Sequence, residues 1–262
     1  MESIRRPVIS PPAGDDRAAQ IGAFIVGAQR CGTTTLAAVL AEHPAICVAR
    51  DKECHLFDAE RVQREGVSGD DIDRFFAHRM PGQVLLDATP SYLYLPGCLE
   101  AIQRHCPDAR IIVLLRKPVA RAVSQHGHER RLGRETAPMF RAFLAERFRL
   151  WRETDPLARR SAHRKSSYVD RGRYDVQLRR LMVLSQSVHV VLFEEMIRSP
   201  QSVIDGVYDF LGVERVSLGA LPHLNASDGH SSRSARLLAR LLLGRSPSRT
   251  ERLLGLPRGS LR

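Results

Sequence analysis

The segment that most restricts the fold is a short apolar run, Ile21-Gly-Ala-Phe-Ile-Val26, followed at once by Gly27-Ala-Gln-Arg-Cys-Gly-Thr-Thr-Thr35. An apolar run of this length ended by glycine reads as a buried strand. Thr33 to Ala41 continues as a helix, with Leu36, Val39 and Leu40 on one face and Pro44 as its stop. Strand, glycine-containing turn and helix together bring backbone amides and the positive end of a helix to one point. Such a point suits a phosphate group. The candidate contacts are Arg30, Cys31, Gly32, Thr33, Thr34 and Thr35. Gly27 and Gly32 have the spacing that opens a Walker A loop, but Thr33 stands where that motif requires lysine. The loop's basic residue is Arg30, which departs from a magnesium–nucleoside triphosphate site.

The rest of the chain repeats the alternation. Strands are predicted at 45–48, 83–87, 109–115 and 188–193. Helices are predicted at 70–79, 118–131, 138–153, 173–185 and 200–211, with a basic polar loop at 154–167. Ala109 to Leu115 is continuously apolar after Arg110, as a parallel strand covered on both faces should be. The expected fold is α/β: three layers, a mainly parallel sheet flanked by helices. Residues 1–20 read as a flexible arm, 21–230 as one domain, and 231–262 as a basic C-terminal helix and tail.

Charge narrows the partners. The 262 residues carry 40 Lys and Arg against 29 Asp and Glu, a net +11. Anionic ligands are favoured by such a balance. Only three of the cations are lysine (Lys52, Lys117, Lys165), so arginine abundance by itself is not a functional signal. Five cysteines without a C-x-x-C pair suit reduced thiols, and no metal-site spacing is present. No segment has the ~20 apolar residues that span a membrane, and Met1 to Gln20 is too polar for a signal peptide. A cytoplasmic protein without metal is expected. The tail from Ser231, rich in arginine and leucine, can lie on an acidic membrane; a docked terminal helix followed by a solvated tail is the favoured arrangement.

A second anion site is predicted at Leu115-Arg-Lys-Pro-Val-Ala-Arg-Ala-Val-Ser124. Arg116 falls at the carboxyl end of a strand, where ligands bind in open α/β sheets. Pro118 is placed for a first helical position, and Ser124 lies about two turns along. Arg121 reads as a surface charge, and His126 and His128 as a solvated helix face.

These two segments, in this order, resemble the two donor-binding motifs of the PAPS-dependent sulfotransferase superfamily (PAPS is 3'-phosphoadenosine-5'-phosphosulfate). The resemblance is closest to the heparan sulfate sulfotransferase-like branch and its bacterial relatives. Three further segments are similar to that branch: Lys52-Glu-Cys-His-Leu-Phe-Asp58, Asp87-Ala-Thr-Pro-Ser-Tyr92, and Gly172-Arg-Tyr174 ahead of Leu192-Phe-Glu-Glu195. The resemblance implies a P-loop-like sulfotransferase fold spanning about Ile21 to Gly212. It implies that PAPS donates a sulfuryl group and leaves as adenosine 3',5'-bisphosphate (PAP). It also implies roles. Arg30 stands where the family usually has lysine against the 5'-phosphosulfate, Gly32, Thr33 and Thr34 complete that loop, and Arg116 with Ser124 hold the 3'-phosphate. Glu53 matches the catalytic base, with His55 as the second choice. Ala88 stands where relatives with glycan substrates often have lysine.

The expected activity is sulfuryl transfer to a hydroxyl or amine of a carbohydrate, glycolipid or natural product. Residues 58–82, 134–170 and 222–234 are expected to shape the acceptor side. Two rivals remain at this point. One is a P-loop kinase-like phosphotransferase with Asp87 as its metal-holding aspartate. The other is a basic nucleic-acid-binding protein, which 6% aromatic content and the lack of a basic–aromatic run disfavour; no nucleic acid partner is expected.

Overall fold

The computed structural model describes residues 20–219 and 232–262. The predicted N-terminal arm, apart from Gln20, and the domain boundary near 230 lie outside the described residues. In chain order the elements are β1 (Ala23–Gly27), α1 (Thr33–Ala41), β2 (Ile46–Val48), α2 (Glu60–Glu65), α3 (Gly69–Phe76) and β3 (Val84–Asp87). Then come α4 (Cys98–His105), β4 (Arg110–Leu115), α5 (Pro118–Arg131), α6 (Met139–Trp151) and α7 (Ala162–Lys165). A 3₁₀ turn (Asp170–Gly172) leads to α8 (Tyr174–Leu184), β5 (Val188–Leu192), α9 (Phe193–Arg198), α10 (Pro200–Leu211), α11 (Arg233–Leu243) and α12 (Ser246–Leu254).

The five strands form one sheet in the order β2-β3-β1-β4-β5, and each neighbouring pair is parallel. Every residue of β1 is buried, as are the last five of β4, which explains their unbroken apolar sequence. From β1 the chain turns towards β2 at one edge, and from β4 towards β5 at the other. The carboxyl ends of these adjacent central strands therefore flank a topological switch point, the place where open α/β sheets hold ligands. Pro118 opens α5, and the Glu194 carboxylate accepts the Lys117 amide at 3.1 Å just before it.

A second, smaller apolar cluster joins α5, α6, the Tyr168–Val169 segment and α11 through Ala122, Phe143, Tyr168 and Leu243. The C-terminal region docks as favoured, but the tail that follows is not solvated. A second helix, α12, packs on α8, and Leu261 is buried against the main core. The polar segment 154–167 contains the short helix α7, and α2, α4 and α9 lie in stretches where no helix is predicted. Among the described residues, no helix is long and apolar enough to cross a membrane.

Candidate functional site

The loop between β1 and α1 is built on a conformation that glycine alone adopts without strain. Gly32 caps α1 at φ 90°, and a Cβ there would come within 2.8 Å of Met196 and 2.9 Å of Phe193. No acidic side chain occupies the first turn of α1, so its amide end stays electropositive. Gln29 holds the loop from beneath: its side-chain oxygen accepts from Arg171 at 2.8 Å, and its carbonyl accepts from Arg121 at 3.4 Å.

The structure brings both predicted anion segments to a single cavity of about 480 Å³, rather than to two separate pockets. Arg30 Nε donates to Ser124 Oγ at 3.3 Å, and Arg116 donates to the Arg30 carbonyl at 3.5 Å. Gly32, Thr33, Thr34 and Thr35 line the same space. Cys31 does not bring its side chain there. Its thiol is fully buried, 3.6 Å from the Tyr174 hydroxyl, and burial pushes it up to about 11. In this tight turn, neighbouring side chains leave on opposite sides, and Cys31 faces the core.

Glu53 and His55 line the same cavity. Among the described residues, the only non-glycine residues at positive φ are Arg30 (69°), Glu53 (67°) and His55 (54°). Left-handed backbone is costly for such residues and concentrates at functional sites. All three border one cavity. Glu53 Oε1 pairs with Lys52 at 2.7 Å, and its Oε2 lies 3.7 Å from His55 Nε2. On its other side, His55 Nδ1 is 2.7 Å from the buried Asp58 carboxylate, which also accepts from Arg164 at 2.6 Å and Ser91 at 3.1 Å. The hydrogen bond to Asp58 raises the His55 pKa above its ordinary value despite partial burial. Burial works against ionisation of Asp58, yet the bonds from His55 and Arg164 hold it below the usual carboxylate range.

Sequence reasoning missed much of the frame. Arg121, read as a surface charge, is completely buried; it donates to Gln125 at 2.7 Å and to the Tyr168 carbonyl. His126 is buried too, between Phe143 and Tyr168, with Nε2 3.1 Å from the Ala137 carbonyl. His128 borders the cavity and is half-buried rather than solvated. Burial and nearby arginines, Arg30 first, lower its pKa.

The remaining motifs brace the site. The Tyr174 hydroxyl donates to the Arg116 carbonyl at 3.0 Å, and Phe193 carries the Arg116 guanidinium 4.5 Å above its ring. Asp87 is fully buried and accepts from Thr89 at 2.6 Å and Tyr92 at 2.8 Å; burial raises it to about 6. Tyr92 in turn accepts the Phe57 amide at 3.2 Å, which fixes the Glu53–Asp58 segment. Ala88 is buried and brings no cation to the cavity.

Seven lysine or arginine side chains line the cavity against two carboxylates, Glu53 and Glu129. Four of the seven, Arg134, Arg159, Arg164 and Lys165, come from the 134–170 stretch predicted to shape the acceptor side. Residues 220–231, which include most of 222–234, lie outside the described residues. The Arg30 pKa is lowered by burial and then by repulsion from Arg131, Arg116 and Arg121. A partly buried group of like charges is relieved by an anion, so the residues present fit a ligand that carries phosphate-type groups.

A model described as the sulfotransferase family matches residues 52–217, which takes in Glu53, His55, Arg116 and Ser124 but begins after the first loop. Heparan sulfate glucosamine 3-O-sulfotransferase 6 of Mus musculus is 28% identical over 229 residues, covering 86% of this chain and 62% of that protein. Its Homo sapiens counterpart is 29% identical over 210 residues, covering 79% and 56%. The chain thus spans less than two thirds of the curated relatives it matches. Among solved structures, a sulfotransferase from Alicyclobacillus acidocaldarius aligns with a TM-score of 0.76 at 27% identity, over 93% of this chain and 99% of that one.

Proposed function

The chain belongs to the sulfotransferase family, and from that premise we propose that it moves a sulfuryl group from PAPS to a hydroxyl or amine of a carbohydrate, glycolipid or natural-product acceptor. The observation that carries this reading is the meeting of both anion-binding segments with Glu53 and His55 in one cavity at the carboxyl ends of β1 and β4.

PAPS would supply the sulfuryl group and a phosphate leaving group at this site. Arg116 and Ser124 hold the 3'-phosphate end. Arg30, the Gly32–Thr35 amides and the threonine hydroxyls hold the 5' end and meet the charge that develops on the leaving phosphate. Arg30 stays protonated, so it acts by charge and not by donating a proton. Glu53 takes the proton from the acceptor. Asp58 keeps a proton on His55 Nδ1, which turns Nε2 towards Glu53. Lys52 holds Glu53 Oε1 and leaves Oε2 to take the proton.

The two rivals fare worse. Asp87 is enclosed by Thr89 and Tyr92 and does not face the cavity, so it is badly placed to hold a metal for kinase chemistry. The basic residues that define the site line a cavity of about 480 Å³, which suits a small bisphosphate ligand better than a nucleic acid strand. A cytoplasmic location accords with five unbridged, buried cysteines.

Incubation with sulfur-labelled PAPS and an acceptor panel, followed by mass spectrometry, tests the proposal. Labelled product together with PAP is the expected result. Magnesium-dependent turnover of ATP in the absence of PAPS would overturn it in favour of the kinase reading.

A further inference from the structure

The helix α6 has two apolar faces, and only one of them is buried. Ala142, Phe143 and Glu146 face inward. Phe140, Leu144, Phe148 and Trp151 are exposed, Trp151 at 79%. At 3.6 residues per turn these four fall within an arc of about 80°. The neighbouring helix α11 repeats the arrangement: Ala235, Ala239 and Leu243 face inward, while Leu237 and Leu241 are exposed. Both helices direct their buried faces at the same small core and pack against each other, so their outward faces share one side of the molecule. Of the twelve large apolar side chains exposed among the described residues, six lie on these two helices. That is a patch, not a scatter of single residues.

The exposed charge on these two helices has one sign. Arg141, Arg147 and Arg152 flank the α6 stripe, and Arg233 and Arg240 flank the α11 stripe, all of them exposed. The one acid on α6, Glu146, is buried and accepts the Val169 and Asp170 amides; α11 carries no acid. Beside Phe140 opens a groove of about 490 Å³ whose walls include Arg130, Arg131 and Met139. Apolar anchors ringed by guanidinium groups, with an aromatic residue at the edge, are what an anionic lipid surface recognises. A second copy of this chain would bring two arginine-ringed faces together.

We propose that the outward face of α6 and α11 docks on an anionic bilayer surface, with Phe140, Leu144, Phe148 and Trp151 as its apolar anchors. The site is separate from the cavity and does not depend on the sulfotransferase reading. It describes a protein that rests on the bilayer rather than one that crosses it.

Trp151 is the only tryptophan in the chain, so its emission reports on this face directly. The full chain is mixed with vesicles of phosphatidylcholine alone or with phosphatidylglycerol added. The expected result is co-sedimentation and a blue shift with phosphatidylglycerol, weakened by salt, and roughly tenfold or more weaker binding to phosphatidylcholine alone. Leu144→Ser with Phe148→Ser should lower partitioning by roughly tenfold, and Arg141→Gln with Arg147→Gln should reduce the phosphatidylglycerol dependence. Far-UV circular dichroism and melting temperature should be unchanged in both variants, which shows that they fold. Absence of vesicle binding, or binding by both variants equal to that of the unaltered chain, overturns the proposal. So does a concentration-dependent dimer that shifts Trp151 without vesicles, which would make the face a self-association surface. An equal shift with a soluble oligonucleotide would assign it to nucleic acid and overturns the proposal as well.

Discussion

Glu53 has a cation, Lys52, on one side and the His55 imidazole on the other, and Glu53 and His55 themselves sit on a backbone held in the left-handed region. A carboxylate held in this way is set for proton transfer and has no contact with the Arg116 side of the cavity. Glu53→Gln should therefore leave PAP affinity intact by calorimetry and lower turnover by about 10²–10⁴-fold. Full activity in that variant would move the base to His55. The His55–Asp58 pair makes a separate prediction. His55 is raised above 6.5, so its share of stability is complete below that value and is lost as pH rises through the raised one. Asp58 is lowered below 3.8, so its share is complete above that value and is lost as pH falls through the lowered one. The pair is thus strongest between the two. Asp58→Asn should bring the His55 pKa, read by NMR titration, down towards 6.5 and remove the alkaline limb of that stability profile. An unmoved His55 titration would show that Asp58 does not set it.

At the scale of elements, α9 is the unexpected part of the site. Its first residue, Phe193, carries the Arg116 guanidinium and also fills the space beside Gly32. Gly32→Ala should strain the φ 90° cap and push Phe193 and Met196 away, at about 1–3 kcal/mol. Because Phe193 moves with it, PAP affinity should fall as well as thermal stability; a stable variant with full affinity would show that the loop does not need this close approach. How legible these elements are in the sequence depends on punctuation. The bounds of α1 and α5 agree with those read from Gly32 and Pro118, because each residue determines the backbone locally. By contrast, α4 has only eight residues and was missed although Pro96-Gly97 precedes it and Pro107 follows it; so short a helix owes its stability to packing on α2 and α8, which the sequence does not display. The buried arginines were illegible for a related reason. The groups that solvate Arg121 come from Gln29 and Tyr168, and the Arg164 partner of Asp58 is 106 residues away. The anion loops were readable because glycine, hydroxyl and arginine are clustered in the sequence. Asp58 had no role in the sequence reading, because only the fold shows that His55, Arg164 and Ser91 converge on its carboxylate.

For the molecule as a whole, part of the basic excess behind the net charge of +11 gathers in the cavity and on the α6–α11 face, and the two should respond differently to a small bisphosphate. A ligand that neutralises the cavity binds the folded chain and not the unfolded one. At one hundred times its Kd it should add about 2.7 kcal/mol, which in a domain of this size is several degrees in melting temperature. PAP should produce that shift, and adenosine 5'-monophosphate a smaller one, because it leaves Arg116 and Ser124 without a phosphate. Arg116→Ala removes a charge-assisted contact of about 1.5–3 kcal/mol, so PAP should bind it roughly tenfold to a hundredfold more weakly. Its effect on the free protein should be small, since losing the Phe193 contact is offset by relief of repulsion with Arg30. A differential melting series with and without PAP separates these terms. If Arg116→Ala lost stability by the same amount in both, Arg116 would be a structural residue and the 3'-phosphate site would have to be placed elsewhere.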